Sequence, residues 1–266
     1  MRTQRYLIVN ADDFGQSHGI NRGIMAAYKQ GIVTSASLMV RWPAAAEAAV
    51  YSRHHPDLGL GLHVDMSEWA CHAGQWIRLY EVIPSADLAA VADEVFRQLE
   101  VFIRLVGRKP THLDSHQHSH RYEPLRTVLR QLARRLEIPL RHYCEEVHYC
   151  GDFYGQTAKG TPMPEAISVE GLLNTLVRLP AGITELSCHP GQEADLETMY
   201  RTERAEEVKV LCDPRVRAFL SAMGIELCSF RDCPAVISKS ANGAGVARSR
   251  DRVVGRAGLQ PADCEE

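Results

Sequence analysis

Thr111-His112-Leu113-Asp114-Ser115-His116-Gln117-His118-Ser119-His120 decides how this chain is read. These ten residues hold four of the twelve histidines, with an aspartate among them. The five ionisable side chains occupy alternate positions, and alternate side chains of a β-strand share one face. A face of imidazoles and a carboxylate is costly to bury unless each ring finds a partner. A divalent cation is the obvious partner, because neutral imidazole is the commonest metal ligand. The segment therefore predicts a strand whose polar face belongs to a metal site, rather than a solvated histidine-rich loop.

On either side of it, short apolar runs rich in β-branched residues alternate with helical patterns. Strands are expected at 6–10, 33–40, 58–64, 111–116, 139–143, 183–188 and 225–230. Helices are expected at 21–29, 43–54, 87–106, 124–136, 169–178 and 213–224, the last capped by Asp213 with Pro214 in its first turn and Gly224 closing it. Strand–helix alternation of this kind predicts a parallel sheet covered by helices. Seven units suit an irregular (β/α) barrel better than a small doubly wound sheet. One domain is expected over residues 1–233. From 234 to 266 the hydrophobic periodicity disappears, which predicts a disordered tail.

The composition is that of an ordinary globular protein: 266 residues, 45% hydrophobic, 24% charged, formal net charge −3. It shows no basic patch for nucleic acid, and the arginine-rich piece 126–141 reads as the solvated face of a helix. No apolar stretch approaches the ~18 residues of a membrane helix. The apolar run at 6–9 is too short for a secretory leader, so a cytoplasmic protein is expected. The eight cysteines contain no Cys-x-x-Cys pair and are expected to be reduced.

The ionisable residues gather at the carboxyl ends of the expected strands. Asp12 and Asp13 follow the first, His63 ends the third, Asp114 and His116 end the fourth, Arg141 lies in the fifth and His189 follows the sixth. In a parallel barrel those ends converge on the face where active sites are built. Asp13, His63 and His116 supply one carboxylate and two imidazoles, a ligand set that leaves positions open for water and substrate. His118 and His120 are further ligands or substrate contacts, and Asp12 is left free to act as a base.

Four stretches in this order resemble the YdjC-like carbohydrate deacetylases: Ile8-Val9-Asn10-Ala11-Asp12-Asp13-Phe14-Gly15, Gly31-Ile32-Val33-Thr34-Ser35, Gly61-Leu62-His63, and Gly107 to His116. Cys188-His189-Pro190 and the segment 224–232 also resemble the family's later motifs, so the resemblance spans about residues 4–233. It implies an irregular barrel related to polysaccharide deacetylases, hydrolysis of an N-acetyl group on a small amino sugar or oligosaccharide, and a divalent metal on Asp13, His63 and His116. It places Asp12 as general base and His189 as general acid. It also suggests a homodimer. The resemblance implies magnesium, whereas two imidazoles suit zinc at least as well. Asp114 is expected to orient a ligand histidine, and Arg141 to pair with Asp12. The segment 64–76 departs from the family pattern; it is expected to wall the sugar pocket, with Trp69 and Trp76 available to stack on a pyranose. Two rival readings are a phosphoesterase or amidohydrolase using a His-x-His strand, and a sugar-binding protein without catalysis.

Overall fold

The computed structural model describes residues 4–233 except 73, 85, 193, 194 and 197; the expected tail, 234–266, lies outside the described residues. In chain order the elements are β1 (Arg5–Phe14), α1 (His18–Gln30), β2 (Ser35–Leu38), α2 (Ala45–His54), β3 (Gly59–Val64), β4 (Ser67–His72), β5 (Gln75–Glu81) and α3 (Leu88–Val106). Then come β6 (Leu113–Ser115), a 3-10 segment (His116–Arg121), α4 (Leu125–Leu136), β7 (Val147–Cys150), α5 (Val169–Val177), β8 (Gly182–Cys188), α6 (Thr202–Leu211), α7 (Pro214–Met223) and β9 (Ile225–Leu227). Ser17, Asp87, Ser168 and Asp213 cap α1, α3, α5 and α7, each accepting from a backbone N–H of the first turn.

The main sheet runs β6-β3-β2-β1-β8-β7, all parallel, with β9 beside the first half of β1 and β2 beside its second half. It is strongly curled. Four strand spacings of ~4.8 Å would hold β6 and β8 roughly 19 Å apart in a flat sheet. Yet the single guanidinium of Arg141 reaches Asp114 of β6 and Glu185 of β8. This is the parallel, barrel-like α/β architecture expected from the alternation of elements.

Two buried layers follow from the strand period. Leu7, Val9 and Ala11 of β1 join the large core beneath the helices, while Ile8 joins a small cluster with Val147, Ile183, Cys228 and Phe230. Along β1 the residues on the face of Ile8 are then Asn10 and Asp12, so the inner face turns from apolar to polar toward the carboxyl end. The concave side is crowded. A side chain at Gly61 would place its Cβ 2.4 Å from the His112 ring, which stacks on Phe230.

Three departures matter for the site. The strand expected at 139–143 is replaced by one bridge, Leu140 to Leu113, followed by a turn in which His142 takes φ 66; the strand that joins the sheet is β7. The segment expected as a loop after His63 contains the antiparallel hairpin β4–β5, turning at Gly74 with φ 82. Helix α6 was not expected at all. Its buried face includes Glu203, Arg204 and Glu207, and charged residues leave no apolar periodicity to detect.

Candidate metal centre

Asp12 and Asp13 are neighbours, and neighbours in a regular strand point to opposite faces. The β1–β2 register shifts between Ala11 and Phe14, and Asp13 adopts φ 66, a left-handed value rare for residues other than glycine. This irregularity lets both carboxylates line one cavity.

Asp13 is the hub. Its Oδ1 lies 3.3 Å from His63 Nε2 and 3.1 Å from His116 Nδ1, and its Oδ2 accepts from Arg204 at 2.6 Å. Asp13, His63 and His116 each offer a ligand atom, all within 4.8 Å of one another. The second His63 nitrogen meets Asp114 Oδ1 at 2.8 Å, the carboxylate–histidine pairing that orients metal-ligating imidazoles. His116 Nε2 is buried without a partner, so the ring holds a second nitrogen that no protein group engages. Asp12, His63 and Asp114 meet the same spacing. There, however, both carboxylates are engaged by Arg141, which makes the Asp13 set the better fit for a cation.

The electrostatics agree with that choice. Burial works against charge on Asp13, but Arg204, His116 and His63 outweigh it and hold the carboxyl well below its usual range. Burial also works against charge on His63, but the Asp114 and Asp13 carboxylates raise it to about 10; His116 is raised as well. The potential between the two rings thus favours a positive charge.

Asp12 is held from three sides. Arg141 donates two hydrogen bonds to it, at 2.7 and 2.8 Å, and Asn10 a third at 2.9 Å. Arg141, expected on a strand, lies instead just past the bridge at Leu140, where it is buried and also donates to Glu185 at 2.7 and 2.9 Å. His189 Nε2 is 3.8 Å from Asp12 Oδ2. Its ring meets those of Tyr154 and Tyr200 edge-on, and its backbone N–H donates to Glu207. Burial pushes His189 down to about 4, against the pull of Asp12 and Asp13.

The alternation that picked out 111–120 holds only in part. His112, Asp114 and His116 share the inner face, but the strand ends at Ser115. Gln117 and His118 then take φ 51 and 54, so His118 and His120 leave that face. His118 still lines the cavity, with Nε2 3.1 Å from the Tyr149 hydroxyl. His120 has both nitrogens engaged, by Ser115 Oγ and the Arg141 carbonyl. Trp69 and Trp76, from the hairpin, line the cavity with Glu68, Tyr149, Tyr154, Tyr200 and Arg204. Sequence reasoning missed Arg204 and Glu207, for want of α6, and Glu185. The only signal for Glu185 was an acidic residue at an inward position of a strand.

The family model of YdjC-like proteins matches residues 6–222. A carbohydrate deacetylase of Geobacillus stearothermophilus is 34% identical over 249 residues, covering 86% of this chain and 98% of the relative. A chitooligosaccharide deacetylase of Serratia marcescens is 31% identical over 260 residues, covering 86% and 99%. Among solved structures, a protein of Enterococcus faecalis V583 provisionally assigned to cellobiose-phosphate cleavage shares the fold. It has a TM-score of 0.71 at 24% identity, with 87% of this chain and 99% of that chain covered.

Proposed function

The chain belongs to the YdjC-like family, and on that footing we propose that it is a metal-dependent hydrolase removing an N-acetyl group from a small amino sugar or N-acetylated oligosaccharide. The observation that carries this reading is the pairing of two groups in one cavity: the donor set Asp13, His63 and His116, and beside it an Asp12 carboxylate fixed by Arg141 within 3.8 Å of His189. The deacetylase names of the relatives at 34% and 31% identity support the same chemistry.

Asp13, His63 and His116 would hold a divalent metal, which would supply the Lewis acidity that polarises an acyl carbonyl and acidifies a water. Zinc and magnesium both remain compatible with one carboxylate and two imidazoles. Asp12 Oδ2 takes the water proton while Arg141 and Asn10 keep its carboxylate from turning. His189 is neutral at rest, so it enters as an acceptor. It receives the proton from Asp12 and delivers it to the departing amine nitrogen. Acid–base groups of this kind contribute ~10²–10⁴-fold each. Trp69, Trp76 and the three cavity tyrosines offer apolar faces to a pyranose. The reading requires neither nucleic acid nor membrane; among the described residues no helix is long and apolar enough to cross one.

Metal-loaded protein is to be incubated with N-acetylated chitooligosaccharides and, separately, with sugar phosphates, and free acetate and phosphate measured. Acetate release alone is expected. Phosphate release without acetate would replace this reading with a phosphoesterase, and tight sugar binding without either product would replace it with a binding protein.

A further inference from the structure

Outside the Asp13 centre, three imidazoles meet behind the cavity wall to which His118 contributes. His118, His120 and His142 each offer a nitrogen, all within 4.8 Å of one another. We propose that they form a second, weaker cation site, selective for a borderline metal such as Zn²⁺. The proposal goes beyond the deacetylase reading and does not depend on it.

His118 carries the argument. Its Nδ1 is buried without a hydrogen-bond partner, while its Nε2 lies 3.1 Å from the Tyr149 hydroxyl, itself 2.9 Å from Ser187 Oγ. A proton on Nδ1 would be a buried donor with nothing to receive it, a rare and costly state. A proton on Nε2 is satisfied by Tyr149 and leaves the Nδ1 lone pair free, as a metal ligand requires.

His142 reaches the cluster from the turn after Leu140, at φ 66, with its ring 5.2 Å from that of His118 and 5.6 Å from that of His120. It is exposed on one side, while its ring packs against those of His120 and Tyr149, the latter 4.3 Å away. Zn–N bonds of about 2.0–2.1 Å place tetrahedral ligand nitrogens roughly 3.3 Å apart, a modest closure from the present spacing. His120 is the third donor, and the longer of its two hydrogen bonds, 3.2 Å to the Arg141 carbonyl, is the one it gives up. That loss and the exposure of His142 make this site weaker than the Asp13 centre. The absence of a carboxylate from the trio excludes Mg²⁺, which demands oxygen ligands.

Calorimetric titration of tag-free, chelator-stripped protein with zinc alone, and then with magnesium alone, tests the proposal. We expect two zinc equivalents, one tight and one weak, but no more than one of magnesium. His142→Ala, an exposed change, weakens the second zinc equivalent by more than about tenfold and leaves the first unchanged. Asp13→Ala removes the first and keeps the second. A wild-type titration that saturates at one zinc, or a second equivalent undiminished in His142→Ala, overturns the site.

Discussion

His63 makes two contacts that together set how the centre takes up a metal. Its Nδ1 pairs with Asp114 at 2.8 Å and its Nε2 faces Asp13 at 3.3 Å, and these carboxylates lift its pKa to about 10. The ring is therefore doubly protonated at neutral pH in the metal-free protein. To ligate, it must surrender the Nε2 proton while Asp114 keeps the one on Nδ1. His116 is raised in the same direction, Asp13 outweighing its burial, and any proton it carries on the ligating nitrogen must likewise leave. Metal binding thus releases protons, and the sign follows: affinity strengthens as pH rises from about 6.5 to 9. The gain is about tenfold per unit for each proton displaced. Calorimetry in buffers of different ionisation enthalpy counts those protons. An affinity flat across that range, with no proton release, would show that these rings are not the ligands. His112, two positions before Asp114, shows why a residue type alone does not define a ligand. Buried between Gly61 and Phe230 and bonded to Ser37 and Thr111, it is pushed down to about 4 and serves the core.

At the scale of elements, the hairpin β4–β5 brings Trp69 to the cavity, and Gln117 holds it there. The Gln117 side chain accepts from the Trp69 N–H at 2.9 Å and donates to the Trp69 carbonyl at 2.7 Å, so one amide substitutes for a strand partner. Its left-handed backbone, next to His116, ties the hairpin to the metal loop. Each of these hydrogen bonds is worth about 1 kcal/mol net. Gln117→Ala is accordingly expected to raise KM for an N-acetylated oligosaccharide about five- to tenfold, with kcat and metal affinity within about twofold. Steady-state kinetics with a parallel metal titration checks this, and an unchanged KM would remove Trp69 from substrate recognition. Elements carried by apolar periodicity, such as α3, were legible in the sequence. The hairpin was obscured because β5 exposes Ile77 and Leu79 and offers no clean in–out alternation. Helix α6 was obscured because it turns Arg204 and Glu207 inward to serve Asp13 and His189.

For the whole molecule, the decisive property is curvature. Asp13 of β1, His63 of β3 and His116 beyond β6 are far apart in the sequence, and only a sheet curled around Arg141 makes them neighbours. The parallel order and the clustering of polar residues at strand ends could be read from the pattern of apolar runs. The bulge that turns Asp12 and Asp13 into one cavity could not, because nothing in two adjacent aspartates marks a left-handed backbone. Nor could the left-handed pair Gln117–His118, which cuts short a run of alternating histidines that reads as continuous strand. The reaction proposed for this centre requires its cation and Asp12 together. Initial-rate acetate release, measured while chelator-stripped wild-type protein and its Asp12→Asn variant are titrated with metal, tests that requirement most directly. We expect wild-type release to rise from background and level off at the first metal equivalent. Asp12→Asn, binding the same equivalent, should stay at least about 10²-fold slower. Full-rate release by the stripped protein, or wild-type turnover by metal-loaded Asp12→Asn, would contradict it.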